Sequence, residues 1–201
     1  MKPLGPKAAK DAAKKKPARK PARPITAKYL NNVAAYYLDR YPSTAEGLRR
    51  VLNRRVRKAE VFDAPIMENV KEAIEAVVAK FVGAGVIDEK AFAQTKARSL
   101  HRRGTSGRLT RQKLKMAGVD NSTVDNAMEA LGEELHADPA QREWRAAAAY
   151  ARRRRLGPYR AEKDRAERRL RDLASMARGG FAYDLAKKVI DAASVDALDD
   201  G

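Results

Sequence analysis

Between Ile25 and about Ala193 the apolar residues recur at intervals of three and four, and no stretch alternates well enough for a strand. Leu30, Val33, Ala34, Tyr37 and Leu38 fall on one helical face, and Pro42 ends that helix. Ser43 opens a second helix, with Glu46 at the capping-box spacing and Leu48, Val51, Leu52 and Val56 as its inward stripe. Arg57 to Pro65 reads as a loop. A third helix turns Val70, Ile74, Val77, Val78, Phe81 and Val82 inward and stops at Gly83 and Gly85.

The same order then recurs. Asp88 caps a helix carrying Ala91, Phe92, Thr95 and Ser99, and Gly104-Thr105-Ser106-Gly107 breaks it. A short helix from about Leu109 turns Leu114 and Ala117 inward, and the next turns Val124, Ala127, Met128, Leu131 and Leu135 inward. After Asp138-Pro139 come stripes of Trp144, Ala147, Ala148 and Ala151, then Ala166, Leu170, Leu173, Ala174 and Ala177. Ala182, Leu185, Ala186, Val189 and Ile190 form the last. Ala117-Gly118-Val119 is echoed by Gly179-Gly180-Phe181, each a helix stop followed by an apolar residue. The expected fold is all-α: three-helix repeats over 25–87, 88–137 and 138–201. Each unit alone buries a small core, so stacking into an elongated, curved array is expected.

Charge changes this picture unevenly. The chain of 201 residues has 43 Lys and Arg against 26 Asp and Glu, a formal charge of +17. Residues 1–24 carry +8 of it, and the three repeats carry +3, +2 and +4. The first 24 residues are mostly Lys, Ala and Pro and cannot bury enough surface to offset chain entropy, so a disordered basic tail is expected. Cysteine is absent, and no apolar run approaches the roughly 20 residues of a membrane span. The charge balance leads to the expectation of an anionic partner, nucleic acid first; the protein is expected to be a cytoplasmic monomer.

Candidate chemistry is that of binding. His101 and His136 lack partners at metal-ligand spacing, and Gly104–Gly107 has no Walker context and no preceding strand. Nothing pairs a nucleophile with a base, so neither an enzyme nor a cofactor is expected. The candidate filament- or DNA-binding residues are basic. Arg49, Arg50 and Arg54 lie on the second helix, where residues four apart share a face. Arg98, His101, Arg102 and Arg103 end the fourth, and Arg111 and Lys113 line the fifth. Arg152, Arg153, Arg154 and Arg155 end the seventh, and Arg168 follows on the eighth. Arginines at helix C-termini also suit the helix dipole, so part of this set has a local explanation. The planar guanidinium nevertheless suits phosphate and carboxylate. Tyr150 and Tyr159 flank the Arg152–Arg155 run as either packing residues or stacking platforms.

The chain resembles the RecX family of bacterial recombination regulators. The resemblance spans about Ile25 to Ala192. It is carried by Ile25-Thr26-Ala27-Lys28-Tyr29-Leu30, Leu48-Arg49-Arg50-Val51-Leu52 and Gly85-Val86-Ile87-Asp88-Glu89-Lys90-Ala91-Phe92-Ala93. It continues through Ala97-Arg98-Ser99-Leu100-His101-Arg102-Arg103-Gly104, Ala149–Tyr159 and Gly180-Phe181-Ala182-Tyr183-Asp184. It implies a non-catalytic protein of tandem three-helix repeats that binds the RecA recombinase filament on single-stranded DNA. There it would restrain ATPase, strand exchange and coprotease activity, with single-stranded and secondarily double-stranded DNA as further partners. The Lys-rich tail lies outside the family's repeat core, and Arg57–Asn69 is longer than the other joints. The tail also motivates a second expectation, a DNA-compacting architectural protein.

Overall fold

Ile25 is the first buried side chain: its N–H donates to Pro65 O, and Met67 N donates back to Ile25 O. This one isolated bridge is the extent of extended pairing among the described residues. The structure, a computed structural model, describes residues 23–198. Most of the basic tail expected to be disordered lies outside them.

Nine α-helices follow among the described residues. They are α1 (Ala27–Leu38), α2 (Ala45–Val61), α3 (Val70–Gly83), α4 (Glu89–Arg102), α5 (Gly107–Met116), α6 (Asn121–Leu135), α7 (Pro139–Arg154), α8 (Glu162–Arg178) and α9 (Tyr183–Ile190). Side-chain oxygens of Thr26, Thr44, Asp88, Ser106, Asp120 and Asp138 accept first-turn N–H groups that no helical carbonyl can reach. The stops are equally regular. From α2 to α8 a residue with positive φ ends the helix, and the next N–H reaches back to the carbonyl five residues earlier. Ala64 bonds Ala59, Thr105 bonds Leu100, Val119 bonds Leu114 and Phe181 bonds Met176 in this way.

The helices pack in threes, and each three has its own core. Leu30, Leu48, Leu52, Ile74 and Val78 are buried between α1, α2 and α3. Ala93, Ala97, Leu114, Val124 and Leu131 are buried between α4, α5 and α6. Ala147, Tyr150, Met176, Phe181 and Val189 are buried between α7, α8 and α9. Each fully buried Leu contributes about 2 kcal/mol relative to exposure, so every unit depends on a few large side chains.

Several expectations are corrected. Thr44, not Ser43, caps α2, because its hydroxyl accepts from Gly47 N. Glu46 does not close a capping box; it pairs with Arg50 at 2.9 Å and Arg49 at 3.6 Å. Arg57–Val61 is helical, not loop, since Ala59 continues the buried stripe of α2. Val82 is exposed. On α4 the buried line is Ala93, Ala97 and Leu100, so Ala91 and Thr95 face out. Small side chains there let α6 approach closely. On α8 the buried residues are Asp172, Leu173, Ser175 and Met176, while Ala166, Leu170, Ala174 and Ala177 are exposed. The face turns because the polar pair has buried partners. Asp172 accepts from Gly157 N at 3.0 Å and from Arg160 Nη2 at 2.9 Å, and Tyr150 Oη donates to Ser175 O at 3.0 Å.

Candidate functional site

The second helices of the three units meet end to end. At the first joint the N-terminal end of α2 abuts the C-terminal turn of α5: Thr44 Oγ1 donates to Ala117 O at 2.5 Å. At the second joint the N-terminal end of α5 abuts the C-terminal turn of α8, with Gly180 seated on Ser106 and Leu109. A carboxylate from the following unit seals each contact. Glu89 Oε1 accepts from Ala45 N at 3.0 Å, and Glu143 Oε2 accepts from Gly107 N at 2.8 Å. Both N–H groups open a helix and lack helical acceptors, so a negative group is favourable there.

Glycine is required where these ends touch. Gly118 has φ +95°, and a carbon added to it would lie against Glu46 Cβ and 2.8 Å from Cγ. Gly104, at φ +70°, leaves no room either: an added carbon would lie 2.7 Å from Tyr150 Cα and 2.8 Å from Ala146 O. The end of α4 is thereby pressed onto the backbone of α7.

The joints gather cations. Arg50 Nη1 donates to Met116 O at 2.6 Å, across the first joint. Arg50, Arg54 and Arg57 line one open groove of about 520 Å³ with Glu46, Arg49 and Asn53. Lys113 and Lys115 lie on the last turn of α5, beside the Met116 carbonyl that Arg50 reaches. At the second joint, Arg102 and Arg103 immediately precede Gly104, which sits on Tyr150. Arg152–Arg155 begin two residues beyond Tyr150, and the guanidiniums of Arg153 and Arg154 lie 5.8 and 5.0 Å from its ring centroid. The ends of α4 and α7 therefore present one cationic cluster.

The expected residues divide by their partners. Arg49 pairs with Glu75 at 2.8 Å, Arg98 with Glu134 at 3.3 Å, Arg111 with Asp125, and Arg168 with Glu167 at 3.5 Å. Arg54, Arg102, Arg103, Lys113, Arg152 and Arg155 make no hydrogen bond or ion pair through their side chains among the described residues. Tyr150 is a packing residue: its ring is buried edge-on to Phe181, centroids 5.4 Å apart. His101 lies half-buried at the second joint, where burial and then Arg142 and Arg145 depress its pKa, leaving a neutral imidazole. Burial raises the pKa of Glu143 against the opposing pull of Gly107 N–H and Arg142.

The charge runs of the sequence indicated neither Thr44, Glu89, Glu143 nor Arg142. Arg142 donates to Met128 O and Arg145 to Leu135 O at 3.2 Å, so both tie the third unit to the second. The paired acceptors are backbone carbonyls, which carry no side-chain signature. Among the described residues no group of His, Cys, Asp and Glu could hold a metal ion, and no helix is long and apolar enough to cross a membrane.

Residues 88–128, which include α4 and α5, match the family model described as RecX, second three-helix domain. The regulatory protein RecX of Myxococcus xanthus is 41% identical over 180 residues, covering 88% of this chain and 93% of its own. That of Agrobacterium fabrum is 29% identical over 171 residues, covering 85% and 86%. A crystal structure of regulatory protein RecX shares the fold at TM-score 0.52 and 19% identity, over 83% of this chain and 72% of that one. With the three-helix units in place and a full-length relative this similar, the chain belongs to the RecX family of regulatory proteins.

Proposed function

We propose that this protein regulates the RecA recombinase by lying along its filament on single-stranded DNA and restraining ATPase, strand exchange and coprotease activity. The reading is supported most by unpaired cations recurring at both joints, on neighbouring units, rather than in one compact site. A filament presents the same surface at regular intervals. An array with matching intervals places several weak contacts on it at once, and these act together through effective concentration. The units 25–87, 88–137 and 138–201 each contribute to that contact as parts of one monomer. Regulation then requires tighter binding to one filament state than to another, since equal binding shifts nothing. Guanidiniums at the joints serve acidic protein surface, DNA phosphate, or both. No step asks the protein for a nucleophile or a cofactor.

The test measures ATP hydrolysis by preformed RecA filaments on single-stranded DNA as the protein is added. Inhibition that saturates is expected. Arg102→Glu with Arg103→Glu should raise the half-inhibitory concentration by about tenfold or more, because charge-assisted contacts are lost while helicity stays unchanged. Arg98→Glu, whose partner is Glu134, should do less. No effect of the wild-type protein at saturation overturns the reading. Tight duplex binding with a steep salt slope and no filament effect would favour the architectural alternative.

A further inference from the structure

The helices α2 and α8 hold the same place in the first and third units and have the same length, 17 residues. Each is stopped by a left-handed residue, Asp63 or Gly180, as α5 is by Gly118. The positions ten, six and three residues before that stop form one row along each helix. The row is Asn53, Arg57 and Glu60 in α2, and Arg108, Gln112 and Lys115 in α5. In α8 it is Leu170, Ala174 and Ala177. Polar groups in two units thus give way to aliphatic ones in the third. Leu170 is 75% exposed, and exposed Ala166, Ala174 and Ala177 extend its row along the helix. The core of the third unit is filled by Leu173 and Met176 and is complete without Leu170. Lys163, Glu167 and Arg171 are exposed around the row. An apolar centre with a rim of mixed charge is the anatomy of a protein–protein contact.

We propose that this face of α8 docks on an apolar patch of the recombinase protein in the filament, alongside the cationic contacts of the first two units. The inference rests on the filament reading above. Aliphatic side chains offer phosphate no donor and bases no ring to stack on, so the occupant is protein rather than DNA. The size of the face selects which protein. It exposes a few hundred Å² at most, whereas a stable pair buries about 800 Å² on each partner. It therefore cannot hold a second copy of the chain by itself. It counts only where other contacts already hold the chain in place, because a tethered contact acts at high effective concentration. On a filament the arginine-bearing units supply that hold. Their contacts weaken with salt, whereas apolar burial is not screened.

The test compares full-length wild type and Leu170→Asn in two assays: ATP hydrolysis by preformed filaments, and binding to single-stranded DNA without recombinase. Leu170→Asn should raise the half-inhibitory concentration about tenfold, the loss of one buried leucine. It should leave the DNA affinity and the salt dependence of inhibition unchanged. Arg102→Glu with Arg103→Glu should instead flatten that salt dependence. Ala174→Gln, on the same row, should weaken inhibition by obstruction, and Leu170→Met should stay near wild type. Both positions are exposed, so the unfolding midpoints should not move. If the wild type does not inhibit, the filament reading and this inference fall together. If the wild type inhibits and Leu170→Asn matches it, this inference alone falls. An equal loss of DNA affinity in Leu170→Asn would make the face a DNA contact. A wild-type dimer in sedimentation at the assay concentration, dissolved by Leu170→Asn, would make it a self-interface. Either result overturns the proposal.

Discussion

The two joints use one plan with different materials. Each places the N-terminal end of a second helix on the C-terminal turn of the next, and each caps the leading N–H with a glutamate from the following unit. The first joint is then completed by side chains reaching carbonyls: Thr44 to Ala117 and Arg50 to Met116. The second is completed by backbone pressed on backbone, Gly104 against Tyr150 and Ala146, with half-buried Glu143 and His101 beside it. Side chains rotate and accommodate; packed backbone does not. The second joint should therefore be the stiffer, with opening confined mainly to the first.

Gly104→Ala should break this contrast most visibly. It adds a methyl group against unyielding backbone at a left-handed residue, and should cost about 3 kcal/mol or more in denaturant unfolding. Gly118→Ala meets the Glu46 side chain and should cost less, about 2 kcal/mol. A larger cost at Gly118 than at Gly104 would reverse the ranking of the joints. Thr44→Ala removes a cap and the Ala117 contact together and should cost about 1–2 kcal/mol, read by the same measurement. Arg50→Ala, half-exposed, should cost no more than about 1 kcal/mol. It should still increase hydrogen exchange at α5's C-terminal turn, since opening there is the effect sought.

The second joint also predicts a pH dependence. His101 binds its proton less readily folded than unfolded, so the unfolded chain holds more protons below the ordinary value of 6.5. Stability should therefore rise as pH climbs from the depressed value toward 6.5 and level off above it. His101→Gln should flatten that part of the profile. Glu143, raised by burial, acts in the opposite direction above the ordinary value of 4.5, so the variant isolates the histidine.

Helix number, order and most stops were legible because periodicity and capping are local. The faces of α4 and α8 were not. In α8, Asp172 and Ser175 look like outward residues until Arg160, Gly157 and Tyr150 supply their partners. In α4, Ala91, Phe92, Thr95 and Ser99 read as the inward line, but Ala93, Ala97 and Leu100 are the buried residues, with Phe92 packed against them. Basic residues were legible as a class, but their pairing was not. Arg98 and Arg102 read alike in the sequence, yet one faces Glu134 and the other solvent. The joints rest on contacts spanning 44, 66 and 73 positions, which no local pattern encodes.

Asp63 occupies in α2 the left-handed turn that Gly118 and Gly180 occupy in α5 and α8, at φ +49°. At Gly118 a side chain would run into Glu46, in the first turn of the docked helix. At the end of α2 an aspartate stands where the internal joints have glycine, so the close contact that Gly118 makes with Glu46 has no counterpart there.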